Sequence, residues 1–295
     1  MCVKEGLLKI KLLYRVMAKA LMIQGTASGV GKTILTLALC RIFKQDGHRV
    51  APFKAQNMTI NTCRADNGEE IAVSQWLQAL AAEIEPSCDM NPIILKPAHD
   101  GTEVIIAGKP YGTINIENFK QIKMRLSNVI KESYSRLSCK HDIIVIEGAG
   151  SPVELNLNRD DIVNMGMAKM ANVPVLLVSD IDRGGVFASL FGTIKLMDES
   201  ERAFVKATIV NRFRGDTTSF NDGVKILEDI TKLPVAGVIP YTQIDLPEED
   251  DMFVARHTLD ESIDFSQQFD QIAESVRKAV DLKLIYEILE KGAGQ

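Results

Sequence analysis

The sequence predicts an α/β fold: a doubly wound, mostly parallel sheet with helices on both faces. Three observations predict it. Short apolar runs (residues 20–23, 141–146, 173–179, 205–210 and 233–239) alternate with longer stretches of helical spacing, the pattern of repeated strand–helix–strand units. A glycine-rich stretch, GTASGVGKT at residues 25–33, joins the first apolar run to the first helical one. Polar and charged residues gather just past the apolar runs, at the edge where open parallel sheets present ligand groups.

The phosphate loop is the first element to justify. Residues 20–23 read as a strand and residues 34–43 as a helix, so residues 25–33 have the strand–loop–helix setting of a P-loop NTPase. Gly25, Thr26, Ser28, Gly29, Val30 and Gly31 are small enough, or turn-prone enough, for backbone N–H groups to close on an anion at a helix N-terminus. Lys32 is placed to reach the terminal phosphates of a nucleotide, and the Thr33 hydroxyl to ligate Mg²⁺. Five residues rather than four separate Gly25 from Gly31, a departure from the usual spacing.

Asp46 and Gly47 then turn the chain into a second strand over residues 49–54, with Lys54 at its C-terminal end and a polar patch, Gln56 and Asn57, beside it. Residues 66–70 form an acidic loop, and residues 71–83 read as a helix with Trp76, Leu77 and Leu80 on its buried side. Residues 91–97 and 102–107 read as strands, residues 108–112 as a turn, and residues 116–138 as a helix. The strand at 141–146 runs into Glu147, an acid at a strand tip downstream of a phosphate loop, the arrangement that orients metal and water. Residues 158–164 open a further helix. The strand at 173–179 ends in Asp182 and Arg183, residues 205–210 end in Asn211, and residues 233–239 end in Pro240. Residues 246–251 form an acidic loop, and residues 271–290 a closing helix.

Composition narrows the class. With 295 residues, 46% hydrophobic and 25% charged, the chain is an ordinary globular one, expected as a single domain over residues 17–295. Residues 1–16, a mixture of lysines and leucines, are expected to form a poorly ordered extension. The net charge of -5 gives no basic footprint for nucleic acid. No apolar run approaches the roughly 20 residues of a spanning helix, so no membrane partner is expected. Five scattered cysteines without a CxxC pair point to reduced thiols in the cytoplasm.

Taken together and in order, GTASGVGKT, APFKAQNM, NPIILKP, EGAGSP, VLLVSDIDRGGVFASLFGT, IVNRFRGD and DLPEED resemble the synthetase domain of the cobyric acid synthase family. Cobyrinate a,c-diamide synthase and dethiobiotin synthetase are more distant relatives that share the five-residue spacing. The resemblance spans residues 17–251 and implies ATP-dependent amidation of corrinoid side-chain carboxylates through an acyl phosphate, with ATP and Mg²⁺. It implies that Lys32 and Thr33 hold the triphosphate, and that Lys54 neutralises the substrate carboxylate. It implies that Glu147 and one acid among Asp66, Glu69 and Glu70, with Glu70 preferred, complete the metal site. Asn211 and the backbone at Pro240 match positions that hold adenine, while Gln56, Asn57, Asp182 and Arg183 match substrate or phosphate contacts. A homodimer is also implied.

Three departures bear on that implication. Ala72 and Val73 stand where the family carries Gly-Arg, the loop after Lys96 is short, and a C-terminal glutaminase domain with its nucleophilic cysteine is missing before Gln295. The expectation is therefore an enzyme that takes ammonia free or from a separate glutaminase subunit. The competing expectations are a paralogous amidoligase on another polycarboxylate and a partition-type switch ATPase. The second would carry a lysine early in the loop, where this chain has Ala27 and Ser28.

Overall fold

Strands buried on both faces need apolar side chains in both directions, and the helices covering them need one apolar stripe each. The computed structural model describes residues 18–65, 67–98, 101–114, 116–156, 161–242 and 264–294. β1 (Lys19–Gly25) leads through the glycine-rich loop into α1 (Lys32–Gln45) and then β2 (Val50–Phe53). A side excursion follows: β3 (Gln56–Met58), β4 (Thr62–Arg64), β5 (Glu70–Ala72), α2 (Val73–Ala81), β6 (Ile93–Ala98), β7 (Gly101–Ile106) and β8 (Lys109–Ile114). α3 (Ile116–Ser138) brings the chain back to β9 (Ile143–Glu147). Then come α4 (Met165–Ala171), β10 (Val175–Asp180), α5 (Val186–Leu196), α6 (Glu199–Arg202), β11 (Val205–Phe213), α7 (Asn221–Thr231), β12 (Val235–Pro240), α8 (Ser266–Ala279) and α9 (Leu282–Lys291).

The main sheet has the order β12-β11-β10-β1-β9-β2, and every neighbouring pair is parallel. From β1 the chain builds outwards first to one side and then to the other, so the crevice of a doubly wound sheet lies beside β1. Register brings three strand ends together there. Glu147 is opposite Ile23, Val178 is opposite Gly25, and Asn211 is opposite Asp180.

Alternation along β1 sorts its side chains by face. Leu21 and Ile23 join Leu35, Leu39, Ile42 and Phe43 of α1, with Phe269 and Ile272 of α8 and Ile285 and Ile288 of α9, in one core. Ala20 and Met22 join Leu126 and Ile130 of α3, Met167 of α4, Leu190 of α5 and Leu227 of α7 in the other. Each fully buried aliphatic side chain contributes about 1.5–3 kcal/mol, so the two cores together hold the layers in place. No helix among the described residues is long and apolar enough to cross a membrane.

Several elements differ from the expectation. The polar patch after Lys54 is the strand β3, paired parallel to β6 in a second sheet of order β3-β6-β7-β8. The helix expected over residues 71–83 starts at Val73, because residues 70–72 pair with residues 62–64 as the β4–β5 ladder. Asp161, expected inside a helix, caps one instead. Its carboxylate accepts from the backbone N–H groups of Val163, Asn164 and Gly166 ahead of α4. The closing helix is two helices. Val280 bridges to Gly237 of β12, and the Asp281 side chain caps α9 by accepting from Leu284 N–H. The expected extension at residues 1–16, the acidic loop at 246–251 and Asp66 lie outside the described residues.

Candidate functional site

The loop between β1 and α1 is shaped by what its glycines exclude. Gly31 has φ +96°, and a Cβ there would stand 2.1 Å from Asn211 Nδ2. A Cβ on Gly25 would stand 2.6 Å from the Val30 side chain. Asn211, at the end of β11, donates from Nδ2 to the Val30 carbonyl at 2.8 Å, so a neighbouring strand clasps the loop. Thr26 is held from β10, through its N–H to the Val178 carbonyl and its hydroxyl to Ser179 Oγ at 2.9 Å. Lys32 spans the loop, donating to the carbonyls of Ala27 and Gly150. Neither a side-chain cap nor an acidic residue occupies the first turn of α1, leaving its positive end and N–H groups for an anion. Ser28 and Gly29 are exposed at the loop's tip.

Behind the loop lies a buried charge cluster. Glu147, at the tip of β9, is wholly buried, and Lys54, just past β2, is 3% exposed. Lys54 Nζ donates to Glu147 Oε1 at 3.0 Å, and the Thr33 hydroxyl donates to the same oxygen at 2.9 Å. Gln78 Nε2, from α2, donates to Glu147 Oε2 at 2.6 Å. Burying two charges is costly unless they are paired and hydrogen-bonded, and here both conditions are met. The strand register and the α1 N-terminus thus bring Lys32, Thr33, Lys54 and Glu147 into one site.

The remaining candidates fall in three places. Asp182 and Arg183 follow β10, where Asp182 pairs with Arg214 and Arg183 reaches towards Gly29 of the phosphate loop. Arg214 stacks over the Tyr241 ring at 3.7 Å, beside Pro240 at the end of β12. Between the two pairs, Arg212 adopts φ 61° and bonds Asp180, a backbone conformation uncommon for a non-glycine residue. Asn57 is buried and donates to Ser74 Oγ and Gln75 Oε1, whereas Gln56 Oε1 is buried with no hydrogen-bond partner among the described residues. Glu70 bonds Lys96 and Thr62 within the side excursion, and Glu69 accepts from Asn67.

Thr33 and Glu147 supply hard oxygen donors side by side, and the loop supplies N–H groups and an ammonium. This donor set fits a triphosphate with Mg²⁺, which keeps few protein ligands and takes the rest from phosphate and water. No group of three or more His, Cys, Asp or Glu residues among the described residues is arranged to hold a metal by itself. Cys40, Cys63 and Cys88 are poorly disposed to act as nucleophiles. Burial raises Cys63 and Cys88 to about 12, and burial followed by the charge of Glu147 pushes Cys40 higher still.

Two residues the sequence did not mark are Gln75 and Gln78, which sit fully buried on one face of α2. Their signal was a glutamine pair three residues apart in an otherwise apolar helix. Asn164 is a third. Its carboxamide bonds Ala149 at both N–H and C=O and also the Ser151 carbonyl, pinning the loop that follows Glu147.

The chain is similar in sequence to known proteins. The family model described as the CobQ/CobB/MinD/ParA nucleotide binding domain covers residues 21–252. The cobyric acid synthase of Lachnoclostridium phytofermentans is 54% identical over 239 residues, 79% of this chain and 47% of that protein. That of Ruminiclostridium cellulolyticum is 53% identical over 237 residues, 80% of this chain and 46% of its own length. That of Streptococcus sanguinis is 46% identical over 270 residues, 91% of this chain and 52% of its own length. The chain spans about half the length of the curated relatives it matches. By its phosphate loop, its parallel sheet and these matches, the chain belongs to the CobQ/CobB/MinD/ParA nucleotide-binding family.

Proposed function

We propose that the chain is the synthetase part of a cobyric acid synthase-like amidoligase, converting corrinoid side-chain carboxylates to amides at the expense of ATP. The observation that carries this reading is the buried cluster of Lys54, Glu147 and Thr33 behind a phosphate loop, in a chain about half identical to the matching part of cobyric acid synthases. A loop that only binds nucleotide has no need of a second buried lysine at the tip of β2, two strands away in the sheet.

A carboxylate does not give up oxide to ammonia, so one of its oxygens must first become a leaving group. That oxygen attacks the γ-phosphorus of ATP, and ADP departs. Ammonia then attacks the carbonyl carbon of the acyl phosphate, loses a proton, and expels phosphate carrying the original oxygen. Lys32 and the N–H groups at the start of α1 would hold the phosphates, and Thr33 and Glu147 would hold Mg²⁺. When bound, Mg²⁺ neutralises phosphoryl charge. Lys54 offsets the negative charge of the incoming carboxylate, and Asn211 with the Pro240 backbone borders the base. Gln56, Asp182 and Arg183 contribute polar contacts to the corrinoid or phosphate, and Asn57, buried against Ser74 and Gln75, joins them only after exchanging those partners. Glu70, bonded to Lys96, is a metal ligand only after exchanging that partner. Ammonia arrives free or from a glutaminase.

Phosphate release from MgATP, measured with ammonium and with or without cobyrinic a,c-diamide, tests the reading. Release should require the corrinoid and vanish in Lys32→Ala. Release that ignores the corrinoid but still needs Lys32 would replace this reading with a switch ATPase.

A further inference from the structure

Glu147 has two carboxylate oxygens, and the structure gives them different work. Oε1 accepts from Thr33 and Lys54, the residues of the phosphate and carboxylate sites. Oε2 accepts from Gln78 at 2.6 Å. Gln78 Nε2 also lies 3.3 Å from the Thr33 carbonyl, so one carboxamide touches both the metal-side carboxylate and the start of α1.

The orientation of that carboxamide is set from behind. Gln78 Oε1 faces Gln75 Nε2 at 3.5 Å. Gln75 Oε1 in turn accepts from Asn57 Nδ2 at 3.0 Å and from Ser74 Oγ at 3.1 Å. The chain Asn57–Gln75–Gln78–Glu147 therefore has one polarity: every amide donates towards the carboxylate, and no member can be flipped without setting donor against donor or acceptor against acceptor. Asn57 is 2% exposed, and Gln75, Gln78 and Glu147 are fully buried, so water does not offer a substitute partner. Three carboxamides buried in one row are costly unless fully bonded, which marks them as a purposeful network rather than filler.

Resting on the proposal that Glu147 holds the metal, we infer that Gln78 is a positioning residue, with Gln75 and Asn57 fixing its orientation. By occupying Oε2, Gln78 keeps the Glu147 carboxylate from turning to meet Lys54 with both oxygens, so that Oε1 stays at Thr33. The side excursion that contributes β3 and α2 thereby reaches into the nucleotide site, at Glu147 and at the Thr33 carbonyl.

The test is calorimetric binding of ATP to the full chain at graded Mg²⁺ concentrations and again in EDTA. Gln78→Met keeps volume and removes the donor. It should raise the Mg²⁺ concentration needed for half-maximal tightening by about 10-fold, as loss of an outer hydrogen bond to a metal ligand does. Affinity in EDTA should stay unchanged, which a merely unfolded loop would not allow. Gln75→Met, one amide further back, should shift the midpoint in the same direction by less, and it carries the test if Gln78→Met shows no cooperative melting. Glu147→Gln separates the two claims. If it shifts the Mg²⁺ midpoint and both glutamine variants do not, the positioning role is wrong while the site reading stands. If Glu147→Gln leaves the midpoint in place, the metal reading of Glu147 fails and the inference falls with it.

Discussion

At Gly31 a single hydrogen atom decides whether the phosphate loop closes. Its φ of +96° is open to glycine and strained for any L side chain, and a Cβ would overlap Asn211 Nδ2 at 2.1 Å. Gly47 shares the positive φ, at +90°, but a Cβ there meets nothing within 4 Å. Gly31→Ala should therefore cost the backbone strain of about 1–2 kcal/mol and also break the Asn211 bond to Val30. Gly47→Ala should cost the strain alone. Urea unfolding with ATP titration distinguishes them: only Gly31→Ala should lose nucleotide affinity. The loop was legible in the sequence because its chemistry is local, nine consecutive residues read as one unit. Gln78 was not, because a glutamine in an apolar helix looks like a surface residue until a distant strand supplies Glu147.

At the scale of elements, strands were legible where apolar residues run without interruption, and illegible where pairing is short and long-range. β3, β4 and β5 have three residues each, too few for any periodicity; β3 pairs with β6 well along the chain, while β4 and β5 pair with each other. The break between α8 and α9 is set by Val280 meeting Gly237, a tertiary contact that overrides a continuous helical pattern. The starts of β2 and β9 are clasped by Arg49, whose guanidinium and backbone N–H both bond Asp142. Those bonds from Arg49 hold the Asp142 carboxyl down at about 2. Because the folded value lies below the unfolded one, this contribution is present above about pH 4 and is lost as pH falls towards about 2. The pair is partly exposed, so its contribution is small. Urea midpoints should fall across that window in the wild type, and the fall should be shallower in Asp142→Asn; equal slopes would remove Asp142 from the acid response.

Over the whole molecule, the strand order places β1 between β9 and β10, and that order brings residues as distant as Lys54, Glu147, Asp182 and Asn211 to one sheet edge. The sequence predicted the edge through its polar strand ends; it did not predict which groups would touch, since contacts such as Lys54 to Glu147 depend on register. The proposed function requires that a substrate carboxylate oxygen be activated by phosphoryl transfer at this edge. It is tested most directly by supplying cobyrinic a,c-diamide with its free carboxylates labelled in both oxygens with ¹⁸O, together with MgATP and ammonium, and analysing the released phosphate by mass spectrometry. An acyl phosphate predicts one labelled oxygen in phosphate for every amide formed. Phosphate released without label, or label retained in an unchanged corrinoid while ATP is consumed, would contradict it.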